Sequence, residues 1–161
     1  MTTLPVGGRR IELRPAVEAD LPALVALLAD DPLGSGREAW AGEDLGPYRR
    51  AFASITSDPA HALVVAVDAG DVVGTLQLSV VPGLSRRGAL RGQVEAVRVR
   101  EDRRGQGLGA AMIGWAVEEA RRRGCALVQL TTDKLRPDAH RFYGRLGFVA
   151  SHEGFKLQLP G

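Results

Sequence analysis

The chain has 161 residues, of which 45% are hydrophobic and 25% charged, a balance typical of one globular domain with its own core. Its formal net charge of +2 and pI of about 9.1 are too mildly basic to indicate nucleic-acid binding. No apolar run is long enough to cross a membrane, and the three histidines lack partners at the spacing of a zinc site. We therefore expect a single domain over 1–161, with its core at about 9–159, that binds no nucleic acid, membrane or metal.

The N-terminal half predicts short strands and helices. RRIELRPA alternates apolar and polar residues and predicts the first strand. Apolar residues at helical spacing follow Asp20, which we expect to cap that helix, with Pro22 in its first turn. EDLGPYRRAFASITSDP predicts a second helix, broken near Gly46 and ended before Pro59. Two β-branched runs on either side of DAGD predict a hairpin.

The C-terminal half continues the alternation. GQVEAVRVRE predicts a strand, and GLGAAMIGWAVEEARRRG predicts an amphipathic helix that Gly124 ends. ALVQLTT is nearly continuous in its apolar residues, which predicts a strand in the buried middle of a sheet. PDAHRFYGRLG predicts a last helix, and GFVA and GFKLQL predict closing strands. The single cysteine, Cys125, lies in apolar surroundings that favour a buried thiol, and without a disulfide or a signal-peptide core we expect a cytoplasmic protein.

The stretch RVREDRRGQGLGAAM places Gly105, Gly107 and Gly109 between a predicted strand and a predicted helix. The first N–H groups of a helix and its dipole attract an anion, and glycines let that anion come close to the backbone. Arg103 and Arg104 could add positive charge at the rim. The stretch lacks the ending of a Walker A loop and does not complete G-x-G-x-x-G. It indicates a phosphate or pyrophosphate site, with a tight strand-to-helix turn as the alternative.

Two motifs resemble those of the GNAT superfamily of N-acetyltransferases. RGQGLG at 104–109 resembles the family's acetyl-CoA motif, Arg/Gln-x-x-Gly-x-Gly/Ala. AHRFYGRLGF resembles Ala-x-x-x-Tyr-x-x-x-Gly-Phe through Ala139, Tyr143, Gly147 and Phe148. The resemblance implies an α/β fold, with a mostly antiparallel mixed sheet splayed at the cofactor site and about four flanking helices. It also implies transfer of an acetyl group from acetyl-CoA to a primary amine, by direct attack in a ternary complex.

The resemblance further implies which residues hold acetyl-CoA. Backbone groups of Val97, Arg98 and Val99 would pair with the pantetheine arm in the gap between the splayed strands. The residues implied at the pyrophosphate are Arg104, Gly105, Gln106, Gly107, Leu108, Gly109 and Ala110. Many members carry an Asn seven residues before the tyrosine, where this chain has Arg136. Arg136 could contact the cofactor or the acceptor, but the Asn contact does not carry over.

The implied reaction needs a base and an acid. Glu95, on the cofactor strand, is the candidate base that removes a proton from the amine, directly or through water. The alternatives are a glutamate that faces solvent or one that pairs with Arg91. Tyr143 is the candidate acid that protonates the leaving thiolate, with simple packing beside Phe142 as its alternative. N–H groups near Val97 could polarise the thioester oxygen.

The acceptor side is less specified by the sequence. In the superfamily the first helical region usually shapes the acceptor pocket, which here includes Arg37, Glu38, Glu43 and Asp44; a solvated charged loop is the alternative. Gln77 and His152 could also face the cleft. We expect a small-molecule amine as acceptor, with a protein lysine or N-terminal amine as the alternative acceptor. A non-catalytic acyl-CoA-binding sensor is the alternative from another class, and a homodimer is possible by analogy.

Overall fold

A mixed sheet forms the centre of the protein in the computed structural model, which describes residues 1–30 and 44–159. In this part of the chain the sheet has six strands in chain order, antiparallel from β1 to β5 and parallel between β5 and β6. The strands are β1 Thr2–Val6, β2 Arg9–Pro15, β3 His61–Asp68, β4 Asp71–Val81, β5 Leu90–Val99 and β6 Cys125–Leu130. The helices are α1 Leu21–Ala29, α2 Gly46–Ser57, the single turn α3 Ser85–Gly88, α4 Leu108–Arg122 and α5 Pro137–Arg145. The predicted mixed α/β class is confirmed.

Helices cover both faces of the sheet. The apolar face of α4 packs on one of them, where Met112, Ile113 and Ala116 are fully buried against Leu76 and Val94. On the other face, Val65 forms a second cluster with residues of α1, and side chains of α2 pack against that cluster. This two-sided burial explains why β3 is almost continuously apolar at its centre. No helix of the described residues is long and apolar enough to span a bilayer.

The first strand and the start of the first helix both differ from the sequence prediction. The strand predicted as the first is β2, because β1 precedes it and buries Leu4 and Val6 against the α4 face. The predicted cap, Asp20, makes no capping bond to α1. Its carboxylate instead accepts two hydrogen bonds from the Arg14 guanidinium (2.7 and 2.9 Å) and one from the Val17 N–H (2.8 Å). These bonds tie the turn before α1 to β2, and Arg14 lowers the pKa of Asp20.

Gly46 begins α2 and does not break it. Pro47 lies in the first helical turn, where the missing N–H of a proline costs no helical hydrogen bond. The end before Pro59 is confirmed, since α2 stops at Ser57. The hairpin of β3 and β4, the strand β5, and helices α1, α4 and α5 are also confirmed.

The C-terminal region corrects two predictions. No strand follows α5 within the described residues, so the closing strands predicted at GFVA and GFKLQL are wrong. Strand β6 exists as predicted, but it is the last strand of the sheet and not a middle one. Both errors have one physical cause. Apolar alternation shows that a segment suits a sheet, but only tertiary structure decides whether a neighbouring strand is there to receive it.

Candidate active site

A gap opens between β5 and β6. The two strands pair in parallel from Leu90 opposite Cys125 to Val94 opposite Leu130, and the pairing ends there. β5 continues to Val99 with β4 on one side only. Val97, Arg98 and Val99, the residues implied for the pantetheine arm, lie on this part of β5, beyond its last pair with β6. The predicted splay of the sheet is therefore present at the predicted place.

A β-bulge marks the point where the strands part. Gln77 of β4 lies opposite Glu95, whereas Thr75 lies opposite Arg98, so β5 has one extra residue between the two pairs. Ala96, next to Glu95, has a φ of +51°, an uncommon value for a residue with a Cβ. Glu95 is exposed although the preceding Val94 is buried. Bulges redirect side chains, and this one presents a carboxylate at the mouth of the gap.

The side chain of Glu95 is exposed, as expected if it faces solvent and is not the base. It forms no ion pair with any residue of the described ranges, Arg91 included. Because no cation within the described ranges forms an ion pair with it, this exposed carboxylate is open on that side to an incoming ammonium group. Exposure is thus compatible with the base role, which stays a prediction.

The loop before α4 needs its glycines for backbone conformation. Gly105 and Gly107 have φ values of +73° and +91°, in the left-handed region that glycine adopts easily. No atom of the part of the chain that the structure describes comes within 4 Å of where a Cβ would stand on either residue, so this part leaves the space above the loop open. Gly109 serves a different purpose, because a Cβ there would lie 3.4 Å from Cζ of Phe142. It lets α4 pack closely against α5.

The start of α4 presents backbone donors to this open space. The first intrahelical bond joins the Ala111 N–H to the Gly107 carbonyl (3.0 Å). The N–H groups of Leu108, Gly109 and Ala110 therefore have no helical acceptor. Three such donors and the positive end of the helix dipole suit an anionic group. The residues present fit the pyrophosphate of acetyl-CoA.

The two arginines expected at the rim are engaged by acidic residues. Arg104 donates from Nε to the Val99 carbonyl (2.9 Å), and its guanidinium pairs with Asp30 (2.6 Å). Arg103 pairs with Asp68 (3.2 Å) and Asp102 (2.8 Å). These ion pairs partly neutralise the charges of both arginines. Backbone amides therefore contribute a larger share of the attraction for an anion than the sequence suggested. Gln106 helps to close the loop by donating to the Asp102 carbonyl (2.9 Å).

Tyr143 lies on α5 in an aromatic cluster. Its ring meets Phe142 and Phe148 edge to face, with centroids 5.0 and 5.9 Å apart. Burial raises the pKa of Tyr143, and the positive charges of Arg136 and Arg98 act against that rise. Of these two arginines, Arg98 lies on β5 beyond its last pair with β6. The phenol keeps its proton at neutral pH, as a proton donor must.

Arg136 stands where α5 begins. Its N–H donates to the Asp133 carbonyl (3.1 Å), and its carbonyl accepts from the His140 N–H (3.2 Å). The Asp133 carboxylate accepts from the Leu135 N–H (2.9 Å) and so stabilises the turn. The backbone of Arg136 thus starts the helix, while its charge influences Tyr143.

A line of polar side chains crosses the sheet on the α1–α2 face, and we call it the polar row. Its members lie directly opposite one another on four neighbouring strands: His61, Ser79, Gln93 and Gln129. His61 Nδ1 and Ser79 Oγ are 2.8 Å apart, and Gln129 Nε2 donates to Gln93 Oε1 (2.8 Å). Two residues further along β4 and β5, towards the gap, Gln77 lies opposite Glu95. Gln77 Nε2 donates to Ser79 Oγ (3.2 Å). The row therefore leads to Glu95.

Sequence reasoning found Gln77, which donates to the polar row, but missed the row itself. The signal was present in the Gln77–Ser79 and Gln93–Glu95 spacings, because polar residues two apart in an apolar strand share one face. Arg37, Glu38 and Glu43 lie outside the described residues. Asp44 accepts from the Gly46 N–H (2.8 Å) at the start of α2. His152 is exposed and lies 2.8 Å from Ser151 Oγ through Nδ1. Cys125 is half-buried, and that burial raises its pKa, so little reactive thiolate forms.

Comparison with known proteins gives a consistent result. Residues 21–148 match the model of the Acetyltransferase (GNAT) family. An aminoalkylphosphonate N-acetyltransferase of Salmonella typhimurium is 34% identical over 92% of this chain and 91% of its own. A glucosamine 6-phosphate N-acetyltransferase of Trypanosoma brucei brucei is 33% identical over 92% of this chain and 96% of its own. A crystal structure from Bacillus halodurans, described as a transcriptional regulator, is 46% identical, with a TM-score of 0.90 over 92% of this chain and 99% of that one.

The open edge of β5 and the glycine loop at the start of α4 fit this family. The chain belongs to the GNAT family of acetyltransferases. It is an N-acetyltransferase, and acetyl-CoA is the family's acetyl donor.

Proposed function

We propose that this protein acetylates the primary amine of a small polar molecule, with Glu95 as the base and Tyr143 as the acid. The observation that carries the proposal is the position of Glu95. The carboxylate is exposed at the bulge where β5 leaves β6, and it lies at one end of the polar row. A cofactor in the gap and an acceptor on the row would meet there.

Acetyl-CoA would lie between α4 and the part of β5 that extends beyond its last pair with β6. The N–H groups of Leu108, Gly109 and Ala110 would receive the pyrophosphate, and Gly105 and Gly107 would give it room. Backbone groups of 97–99 would align the pantetheine arm, as an added strand pairs with an open edge. The bound thioester supplies the acetyl group.

Proton transfers follow from the two side chains. An ammonium group has no lone pair, so Glu95 takes its proton, directly or through one water, and leaves a nucleophilic amine. When the acyl bond to sulfur breaks, Tyr143 donates its phenolic proton to the departing thiolate. Burial keeps the phenol in its neutral form, so the proton is present when the acyl bond to sulfur breaks.

The acceptor class rests on the polar row and on the relatives. Amide and hydroxyl groups at Gln93, Gln129 and Ser79 can hydrogen-bond hydroxyl or oxyanion groups of a small molecule. The relatives named above act on an aminoalkylphosphonate and on glucosamine 6-phosphate, which are both small amines that carry acidic oxygens. We place the reaction in the cytoplasm, where acetyl-CoA is made and a lone reduced cysteine persists.

The test is an assay of thiol release from acetyl-CoA with a panel of amines: an aminoalkylphosphonate, glucosamine 6-phosphate, methionine sulfone, a polyamine and a lysine peptide. We expect release with at least one of the small polar amines. Glu95→Gln should lower kcat about 100-fold near pH 7. The loss should shrink as the pH rises, because the amine then loses its proton without help. Glu118→Gln, an exposed glutamate on α4, is the matched control and should retain wild-type turnover.

A second candidate function is acyl-CoA sensing without turnover. The description of the 46% identical Bacillus protein as a transcriptional regulator favours it. Calorimetry separates the two candidates: binding of CoA with no thiol release for any amine of the panel would refute these acceptors and favour the sensor. Turnover with the lysine peptide alone would replace the small-molecule acceptor with a protein.

A further inference from the structure

Strand β5 carries three polar side chains on the face of the sheet opposite α4: Arg91, Gln93 and Glu95. They alternate with residues that are buried. One of these, Gly92, shows which way the buried residues point, because a Cβ there would lie 3.0 Å from Cβ of Ala120 in α4. The three polar side chains therefore point away from α4, in one line along the strand.

Arg91 is half-buried and has no partner for its charge within the described residues. It forms no ion pair or hydrogen bond with any of them. Its neighbours across the sheet are Val81 on β4 and Leu127 on β6, and neither side chain offers a hydrogen-bond acceptor. Its Nη2 lies 3.9 Å from where a Cβ would stand on Gly83, in the turn after β4. A partly buried cation without a counter-charge is costly, so this position favours an anion from outside the chain.

The connection between β4 and β5 adds positive charge beside Arg91. Residues 83–94 include Arg86, Arg87 and Arg91 and no acidic residue. Arg86 and Arg87 are exposed, and neither forms an ion pair in the part of the chain that the structure describes. The two arginines directly before the glycine loop, by contrast, are paired with carboxylates. The unneutralised charge therefore lies at the end of β5 away from the cofactor loop, where it attracts an anionic ligand.

We propose that Arg91 binds an anionic group of the acceptor, a phosphate, phosphonate or carboxylate, while the acceptor's amine lies at Glu95. This assignment rests on the proposed function, which puts the amine at Glu95. A guanidinium suits such a group, because its N–H donors match two oxygens at once. Gln93 and Gln129 lie between the two ends and would hydrogen-bond the middle of the acceptor.

The spacing along β5 also limits which acceptors fit. Arg91 and Glu95 are four residues apart on a stretch of regular pairing with β4, which separates their Cα atoms by about 13 Å. The long arginine side chain shortens the span that the acceptor has to bridge. An amine and an acid group on one carbon are nevertheless too close together for both contacts. The acceptor class is therefore an amine whose acid group is several bonds away, as in a phosphorylated amino sugar.

The experiment compares glucosamine 6-phosphate with glucosamine, which lacks the phosphate, in the thiol-release assay. We expect Arg91→Gln to raise the KM for glucosamine 6-phosphate about tenfold or more, and to leave kcat and the KM for glucosamine nearly unchanged. Arg91→Lys keeps the charge but loses the planar fork, so its KM should fall between those of the wild type and Arg91→Gln. Aminomethylphosphonate, whose amine and phosphonate share one carbon, should be a poor acceptor for the wild type.

Arg10→Gln is the matched control. Arg10 is an exposed arginine near the start of β2, at the opposite end of the sheet from Arg91, and forms no ion pair within the described residues. This variant should keep the wild-type constants for both sugars. An equal loss for glucosamine and its phosphate in Arg91→Gln would overturn the proposal. Efficient turnover of aminomethylphosphonate that Arg91→Gln abolishes would overturn the required separation.

Calorimetry distinguishes failure of this inference from failure of the proposed function. With CoA bound, the wild type should bind glucosamine 6-phosphate more tightly than glucosamine, and Arg91→Gln should remove the difference, whether or not either sugar is acetylated. A wild type without this preference would overturn the anion subsite even if thiol is released. A preference that depends on Arg91, without thiol release, would support the subsite and count against acetylation of this acceptor.

Discussion

Tyr143 shows how much one side chain's surroundings decide. The chain has two tyrosines, and both contact apolar clusters; the positive charges of Arg136 and Arg98 act on Tyr143. Its raised pKa keeps the phenol protonated at neutral pH. The hydroxyl therefore still carries the proton that it can donate when the leaving thiolate forms beside it.

Replacement of this hydroxyl should affect chemistry and not binding. We expect Tyr143→Phe to lower kcat by about 100-fold, within the usual range for a lost general acid, and to leave the KM for acetyl-CoA nearly unchanged. Steady-state thiol release measures both constants. Tyr48→Phe removes the same atom from α2 and should preserve kcat. Equal losses in the two variants would show that Tyr143 acts through packing alone.

At the scale of the element, the start of α4 depends on backbone conformation. Gly107 holds a φ of +91° directly before the helix and so aims the first three N–H groups into the open space. Gly8, in the turn between β1 and β2, has a similar φ of +80° and equally open surroundings. The two residues have a similar backbone conformation but only Gly107 lies at the candidate cofactor loop. Alanine substitutions at both positions therefore distinguish an effect on stability from an effect on CoA binding.

We expect Gly107→Ala to raise the Kd for CoA at least tenfold, because a left-handed alanine costs roughly 1–2 kcal/mol and the loop would relax away from its binding shape. Gly8→Ala should lose a similar free energy of unfolding and keep the wild-type Kd. Calorimetry with CoA and urea denaturation measure the two quantities. If both variants bind CoA as the wild type does, the glycines serve only the turn.

At the scale of the whole molecule, the far end of α4 is anchored by ion pairs. Glu119 accepts from Arg122 (2.6 Å) and Arg123 (2.7 Å), and Arg123 also donates to the Pro59 carbonyl before β3 (2.8 Å). Hydrogen bonds from Arg122 and then Arg123 lower the pKa of Glu119 from 4.5 to about 2, against the opposing effect of burial. The side chains of Glu119 and Arg123 are only 13% and 23% exposed, so solvent screens that pair little, whereas Arg122 is 71% exposed and its pair is screened more.

This shift predicts how acid unfolds the protein. A carboxylate with a lowered pKa stabilises the fold above its unfolded value near 4.5, and the contribution is lost as the pH falls towards 2. It amounts to at most about 3 kcal/mol. Glu119→Gln should therefore lower the free energy of unfolding at pH 7 by about 1–3 kcal/mol and flatten its dependence between pH 4.5 and 2. Urea denaturation across this range tests it, with the neighbouring, exposed Glu118→Gln as the control that should change little.

The sequence by itself determined the features that depend on neighbours along the chain. A β-branched run with Asp and Gly between its halves makes a hairpin, and Met112, Ile113 and Ala116 fall on one helical face wherever the helix lies. The residues within each of the two motifs, 104–109 and 139–148, are neighbours in sequence, and so are the glycines before α4. These features could therefore be identified from the sequence alone. These features gave the fold class, the family and the location of the cofactor loop.

Tertiary structure alone decided what depends on pairing between distant segments. The bulge at Ala96 exists because β4 and β5 meet in one register, and that register exposes Glu95 and aligns His61, Ser79, Gln93 and Gln129 in a row. Arg104 is engaged by Asp30, 74 positions away, which no local pattern indicates. Composition likewise marked β6 and the segments after α5 as strands but could not say which edges stay open. Spacing along one segment encodes local conformation, whereas register and free edges arise from contacts between segments that only the folded chain brings together.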